Sequence, residues 1–167
     1  MIKEDKSNHL RSEDKKERRL RLDNHEIELD EVISLTDGNI NDLLHHLDTR
    51  DFHGAIIDYQ VLPRDVFLRQ VTTALVRQEN RRHITIVNTA PNRPEVHWVA
   101  VTWQPALRLM RIVDSLSASN NLCGILAEEA RKAGYFVLVT FLNAQRGPSC
   151  GYWAVHISLF MATRVFD

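Results

Sequence analysis

The sequence predicts a single α+β domain with a helical front half, a mostly antiparallel central sheet and a buried helix near the C-terminus. Three observations favour this class: helical periodicity in the first half, strand-like runs in the second, and a closing segment that is almost entirely apolar. With 167 residues and 44% apolar side chains, the chain is long enough to bury one core of ordinary size. We therefore expect one domain.

The elements follow from residue spacing. Apolar residues recur every three or four positions over 37–47 and 63–77, which predicts two amphipathic helices. Runs rich in valine, isoleucine and aromatic residues predict strands at 83–87, 96–103, 107–114 and 135–142, with a further helix over 119–132. The segment 150–164 has almost no polar face, so we expect it to form a central, buried helix.

Residues 1–30 differ from the rest of the chain. They are dense in charged side chains of both signs and carry few large apolar ones, so they cannot close a core of their own. The segment is predicted to be a charged leader or a solvated helix, with Ser12 able to cap a helix through Leu22. Residues 31–167 then form the functional domain.

Composition excludes several function classes. Lys and Arg number 21 against 22 Asp and Glu, so nothing in the overall charge favours nucleic acid or an anionic membrane. No run approaches the roughly 18 to 20 apolar residues that span a bilayer, and the N-terminus lacks the apolar core of a secretory signal. Two cysteines in a chain of this size fit free thiols in a reducing compartment such as the cytosol.

No metal site or cofactor is expected. The histidines outside the predicted catalytic site lie on unrelated segments without ligand spacing, which argues against zinc; they are His45, His46, His53, His83 and His156. Cys123 falls within a helical run and is predicted to be a small buried hydrophobic residue.

A histidine and an aspartate are predicted to meet across a hairpin. The runs 96–103 and 107–114 are joined by Gln104, Pro105 and Ala106, and a turn centred on the last two places His97 opposite Asp114. A carboxylate in that position accepts the imidazole N–H, fixes the tautomer and stabilises the imidazolium. The pair is a candidate base and its orienting acid.

Cys150 is the candidate nucleophile. It follows Gly147, Pro148 and Ser149 and opens the apolar closing helix, where the positive end of the helix dipole favours a thiolate. Gly151 leaves the backbone beside the sulfur open to a substrate chain. On the preceding loop, the Gln145 amide and the Cys150 backbone N–H could hold the oxyanion of a tetrahedral intermediate, with Asn143 as the alternative side-chain donor.

These residues resemble the CE-clan cysteine peptidases: ubiquitin-like-protein-specific proteases, the adenovirus-type protease, and bacterial effector deubiquitinases and acetyltransferases. The matching elements, in the family's order, are His97-Trp98, Asp114-Ser115-Leu116, Gln145 and Cys150-Gly151, and the run from Leu35 to Ile40 is similar to an upstream stretch of the catalytic domain. The resemblance implies a papain-like core. It also implies substrate contacts for Asp37 and for Trp98, whose indole covers the channel of a Gly-Gly tail in the modifier proteases.

The resemblance implies a cysteine isopeptidase that removes ubiquitin or a ubiquitin-like modifier through a thioester, without a cofactor. Its partners would be modifier conjugates, and we expect a monomer that acts in a reducing cytosol, including a host cytosol after secretion by a bacterium. Three rivals remain open: an effector acetyltransferase that uses acetyl-CoA and the same triad, a viral-type processing endopeptidase, and a non-catalytic binder on the same scaffold.

Overall fold

The structure is a computed structural model, and it describes residues 19–22, 25–28, 36–47, 56–89, 97–116, 123–144 and 150–162. The strands in chain order are β1 (Arg19–Leu22), β2 (His25–Glu28), β3 (Ile57–Pro63), β4 (Arg82–Asn88), β5 (Trp98–Gln104), β6 (Leu109–Asp114) and β7 (Phe136–Phe141). The helices are α1 (Asp37–Leu44), α2 (Arg64–Arg77), α3 (Gly124–Ala133) and α4 (Cys150–Ala162), with one 3₁₀ turn at Pro105–Leu107.

Five of the strands form one sheet in the order β3-β4-β5-β6-β7. The two central pairs, β4 with β5 and β5 with β6, are antiparallel, whereas the outer pairs, β3 with β4 and β6 with β7, are parallel. The sheet is therefore mixed, which corrects the prediction of a mostly antiparallel one. The reason is the connections: α2 links β3 to β4 and α3 links β6 to β7, and such helical crossovers join parallel strands.

Two elements were missed or misassigned from the sequence. The edge strand β3 was missed although its apolar residues Ile57, Tyr59 and Val61 alternate with Asp58 and Gln60, which is the period-two pattern of a partly buried strand. Arg19–Leu22 pairs with His25–Glu28 as an antiparallel hairpin, with Leu20 opposite Ile27. These residues are not helical, which corrects the helix considered through Leu22. Charged and apolar residues alternate there with a period of two.

The helices cover both faces of the sheet. On one face, α2 and α3 pack against β5, β6 and β7 around Phe67, Trp103 and Leu126. On the other face, α1 and α4 pack against β4 and β5 around Ile40, Ile86 and Val155. The predicted burial of the closing helix is confirmed, since nine of its residues are buried, Cys150 among them.

The β5–β6 hairpin sets the geometry of the site. The loop contains a 3₁₀ turn followed by Arg108 in the left-handed conformation. The two strands pair with Ala100 opposite Val113 and Gln104 opposite Leu109. The register differs by two residues from the one predicted with Pro105 and Ala106 at the centre of the turn, because the turn is longer. A shift of two keeps each side chain on its predicted face, since strand side chains alternate with a period of two.

Candidate active site

His97 and Asp114 form a buried hydrogen-bonded pair. Residue 97 directly precedes β5 and residue 114 ends β6; because these strands are antiparallel, both lie at the same end of the sheet. The Nε2–Oδ1 distance is 2.9 Å, and the two residues are only 5% and 0% exposed. The predicted contact is present despite the shifted register.

Asp114 is held by more than the imidazole. The backbone N–H of Leu116 also donates to Oδ1, at 2.9 Å. Burial raises the pKa of this carboxyl. The hydrogen bonds from His97 and Leu116 and the charge of the histidine together lower it by more than burial raises it, so the pKa lies below the ordinary value. Asp114 is therefore ionised at neutral pH and can orient His97.

Cys150 completes the cluster. It is the first residue of α4 and is 5% exposed. Burial lowers the pKa of His97, while the hydrogen bonds to Asp114 and Cys150 and the charges of those two groups raise it; the net result is a pKa raised from 6.5 to about 9. Because Nε2 is hydrogen-bonded to Asp114, Nδ1 is the ring nitrogen that can form the hydrogen bond with the Cys150 thiol.

The arrangement can perform nucleophilic catalysis. The His97 imidazolium lies beside the Cys150 thiol, and the thiolate is the reactive form of cysteine. The same imidazolium can give its proton to a leaving group, and the carboxylate stabilises its charge until that transfer. The geometry is thus compatible with the predicted roles of nucleophile, acid–base catalyst and orienting group, and those roles stay predictions.

Cys123 has an environment that sequence reasoning missed. This residue precedes α3 and is fully buried, as predicted, but its thiol also interacts with the Asp114 carboxylate. Burial and that negative charge raise the pKa of Cys123 to about 12, so its thiol stays protonated. No sequence signal indicated this contact, because it joins two elements whose packing only the fold decides.

The predicted oxyanion donors can be placed only in part. Gln145 lies outside the described residues. Asn143 has a left-handed backbone with φ of 51°, and its backbone N–H donates to the Leu116 carbonyl at 3.2 Å. The Ala144 N–H likewise donates to the Ser115 carbonyl at 2.8 Å, so the loop before the nucleophile is tied to the segment that follows Asp114. Which side chain completes the oxyanion hole stays a prediction.

The predicted substrate-binding residues fall in different settings. Gly151 is buried beside Cys150 in α4. Trp98 is 5% exposed and belongs to the apolar cluster that contains Cys150, Ile40 and Leu44, so its indole packs near the nucleophile. Asp37 begins α1, where its Oδ1 accepts a hydrogen bond from the Gly38 N–H at 2.9 Å. Its contact with substrate stays a prediction.

The described segments contain neither a cluster of metal ligands nor a membrane-spanning helix. Across them, no three His, Cys, Asp or Glu side chains come together in a way that could hold a metal ion. In the same part of the chain, no helix has the length and apolar character needed to cross a bilayer.

The raised pKa of His97 predicts how stability depends on pH. A histidine whose folded-state pKa is about 9 and whose ordinary pKa is 6.5 stabilises the fold fully below pH 6.5, and that stabilisation is lost as the pH rises through about 9. Urea unfolding across this window should show the free energy of unfolding falling more in the parent than in His97→Gln. A control variant of the exposed His45, His45→Gln, should follow the parent. Parallel curves for parent and His97→Gln would contradict the raised pKa.

Comparisons with known proteins extend the description of the fold. No protein-family model and no curated protein sequence matches the chain. Among solved structures, the chain is similar to a deletion variant of AvrA determined with IP6 and CoA, with 11% identity and a TM-score of 0.53 over 73% of this chain and 46% of AvrA. It is also similar to the Legionella pneumophila effector protein RavZ, with 14% identity and a TM-score of 0.38 over 66% of this chain and 42% of RavZ. The chain thus spans less than half of AvrA, and the likeness shows that the two proteins share an α+β fold.

Proposed function

We propose that this chain is a cysteine isopeptidase that cleaves ubiquitin or a ubiquitin-like modifier after its C-terminal Gly-Gly. The observation that carries the proposal is the buried His97–Asp114 pair, 2.9 Å apart, interacting with the thiol at the start of α4. These groups occur in the order histidine, aspartate, cysteine, as in the CE-clan peptidases. The specificity for modifiers rests on the resemblance and on the indole near the nucleophile.

The reaction proceeds through a thioester. The Cys150 thiolate attacks the carbonyl carbon of the modifier's last glycine and forms a tetrahedral oxyanion. When this intermediate collapses, the C–N bond breaks and the His97 imidazolium gives its proton to the departing lysine amine. Neutral His97 then takes a proton from water, the resulting hydroxide attacks the thioester, and the thiolate leaves. Thiolate and imidazolium are thereby restored.

The proposed preference for Gly-Gly follows from the crowding around the thiol. Gly151 offers a backbone without a side chain next to the sulfur, and the Trp98 indole packs in the same cluster as Cys150. A substrate tail that passes between such groups must lack side chains of its own, because only glycine allows so close an approach of the backbone. We infer that this crowding selects glycine at the two residues before the cleaved bond.

One alternative has a specific observation in its favour. AvrA, whose fold this chain shares, was determined with CoA and IP6. In an acetyltransferase the same thiolate would attack the thioester of acetyl-CoA, release the CoA thiol, and pass the acetyl group to a hydroxyl or amine of a target protein. The chemistry of the triad permits both reactions. Whether the acyl group comes from a modifier conjugate or from acetyl-CoA, and whether water or a target protein accepts it, must be tested directly.

A probe experiment tests the proposal. Ubiquitin and ubiquitin-like modifiers with a C-terminal electrophile should form a covalent adduct at Cys150, and mass spectrometry would locate it. The adduct should be absent in Cys150→Ala and persist in Cys123→Ser, since the Cys123 thiol is buried and has a pKa of about 12. Labelled acetyl-CoA, offered in parallel, should leave no acetyl group on the protein. Acetylation at Cys150 without any modifier adduct would replace the isopeptidase with the acetyltransferase.

A further inference from the structure

A cavity away from the catalytic cluster lies along α4, between that helix and the sheet. It has a volume of about 290 Å³ and is lined by α4 and by residues of β4, β5, β6 and β7 or just beyond β7. Of the five strands of the sheet, α4 packs mainly on β4 and β5, and the pocket lies where the helix passes toward β6 and β7. We call it the α4 pocket; its lining includes Arg111, Val113, Leu142, Trp153, Ile157 and Phe160.

The walls of the α4 pocket are mainly apolar. Trp153, Ile157 and Phe160 follow one another at spacings of four and three along α4, so they lie on one side of the helix. Val113 and Leu142 face them from the sheet side. Pockets that bind small molecules typically have such apolar walls with a few polar groups that fix orientation.

The polar groups of the pocket are cationic or neutral. Arg82 and Arg111 both line it, and among the described residues no aspartate or glutamate does. Arg82 is fixed in place, since its Nη2 donates to the Met161 carbonyl at 2.6 Å. Arg111 is exposed and forms no ion pair with any residue of the described segments. An uncompensated guanidinium at the edge of an apolar cavity attracts an acidic group, because its fork of N–H donors matches a carboxylate or phosphate.

We propose that the α4 pocket binds a small anionic amphiphile, with its acidic head paired to Arg111 and its single apolar tail between α4 and the sheet. This site is separate from the triad and does not depend on the proposed isopeptidase activity. A methylene group is about as large as a water molecule, which takes about 30 Å³. A cavity of about 290 Å³ therefore has room for a tail of about ten carbons. A carboxylate and a phosphate ester share the required chemistry.

Binding of ten-carbon probes tests both parts of the proposal. Decanoate and decyl phosphate would be titrated into the full chain, with decanol as the neutral probe, while the Trp153 indole resonance is followed by NMR. The Kd of the tighter acid should be about 0.1–1 mM, as expected for a ligand of about a dozen heavy atoms. Decanol should bind about tenfold more weakly, because it lacks the charge that pairs with arginine. The tighter of the two acids identifies the preferred head group.

Paired variants locate the site. Arg111→Ala should weaken binding of the acid about tenfold and leave decanol unchanged, whereas Arg69→Ala, an exposed arginine on α2 at the opposite face, should change neither. Phe160→Glu introduces a carboxylate at the pocket wall and should abolish binding of the acid. Phe136→Glu, at a position 64% exposed and outside the pocket, should not. Equal affinity for decanol and the acids, equal effects of the two arginine variants, or no binding of either acid would overturn the proposal.

Discussion

Asp114→Asn should lower kcat by about four orders of magnitude while leaving the fold intact. The carboxylate accepts from His97 Nε2 and from the Leu116 N–H on the same oxygen. An amide of nearly equal shape can instead donate to the imidazole, which favours the wrong tautomer and no longer stabilises the imidazolium. The equivalent change in a serine protease triad lowers kcat by about 10⁴ for this reason. Steady-state cleavage of a fluorogenic modifier substrate would measure the change.

The control for this variant is another aspartate in an ion pair. Asp58 lies on the edge strand β3, where its Oδ2 is 3.1 Å from Arg81 Nη1, and both side chains are partly exposed. Asp58→Asn should leave kcat unchanged and cost at most about 1 kcal/mol of stability, as is usual for exposed ion pairs. Melting temperatures near the parent value in both variants would show that the fold is kept. Near-normal turnover in a folded Asp114→Asn protein would remove Asp114 from the mechanism.

Trp98→Ala should lower the free energy of unfolding by about 3–5 kcal/mol, the usual cost of truncating a large buried aromatic side chain. Trp98 is 5% exposed and packs in the cluster that joins α1, β4 and α4, so its removal leaves a cavity between three elements. Urea unfolding followed by circular dichroism would measure the loss. Phe136→Ala, at a side chain that is 64% exposed, should change stability by no more than about 0.5 kcal/mol.

The same variant separates the packing role of Trp98 from its proposed role in the substrate channel. Below the melting temperature of the variant, cleavage of substrates with glycine or alanine at the penultimate position would be compared. If the indole also covers the tail, Trp98→Ala should accept alanine better than the parent does. A large loss of stability with unchanged glycine-to-alanine selectivity would assign Trp98 to the core alone, and the channel inferred from the family resemblance would be wrong.

The sequence by itself determined the elements with strong local patterns. The helix over 63–77, the strands over 83–87 and 135–142, and the helix that opens at Cys150 are all present within a few residues of their predicted bounds. Helical and strand periodicities are properties of neighbouring residues, so a single chain displays them. The His97–Asp114 pair was predictable for the same reason, because a short hairpin connection restricts which residues can face each other.

Only the tertiary structure decided the features that depend on residues far apart in the chain. Strand β3 pairs in parallel with β4, and its own alternating pattern does not indicate that partner or that direction. The contact of Cys123 with Asp114, the burial of Trp98 against α1, and the cavity beside α4 all arise where separate elements pack together. Such contacts depend on the relative placement of whole helices and strands. Local periodicity indicates which face of an element is buried, but it does not indicate which partner covers that face.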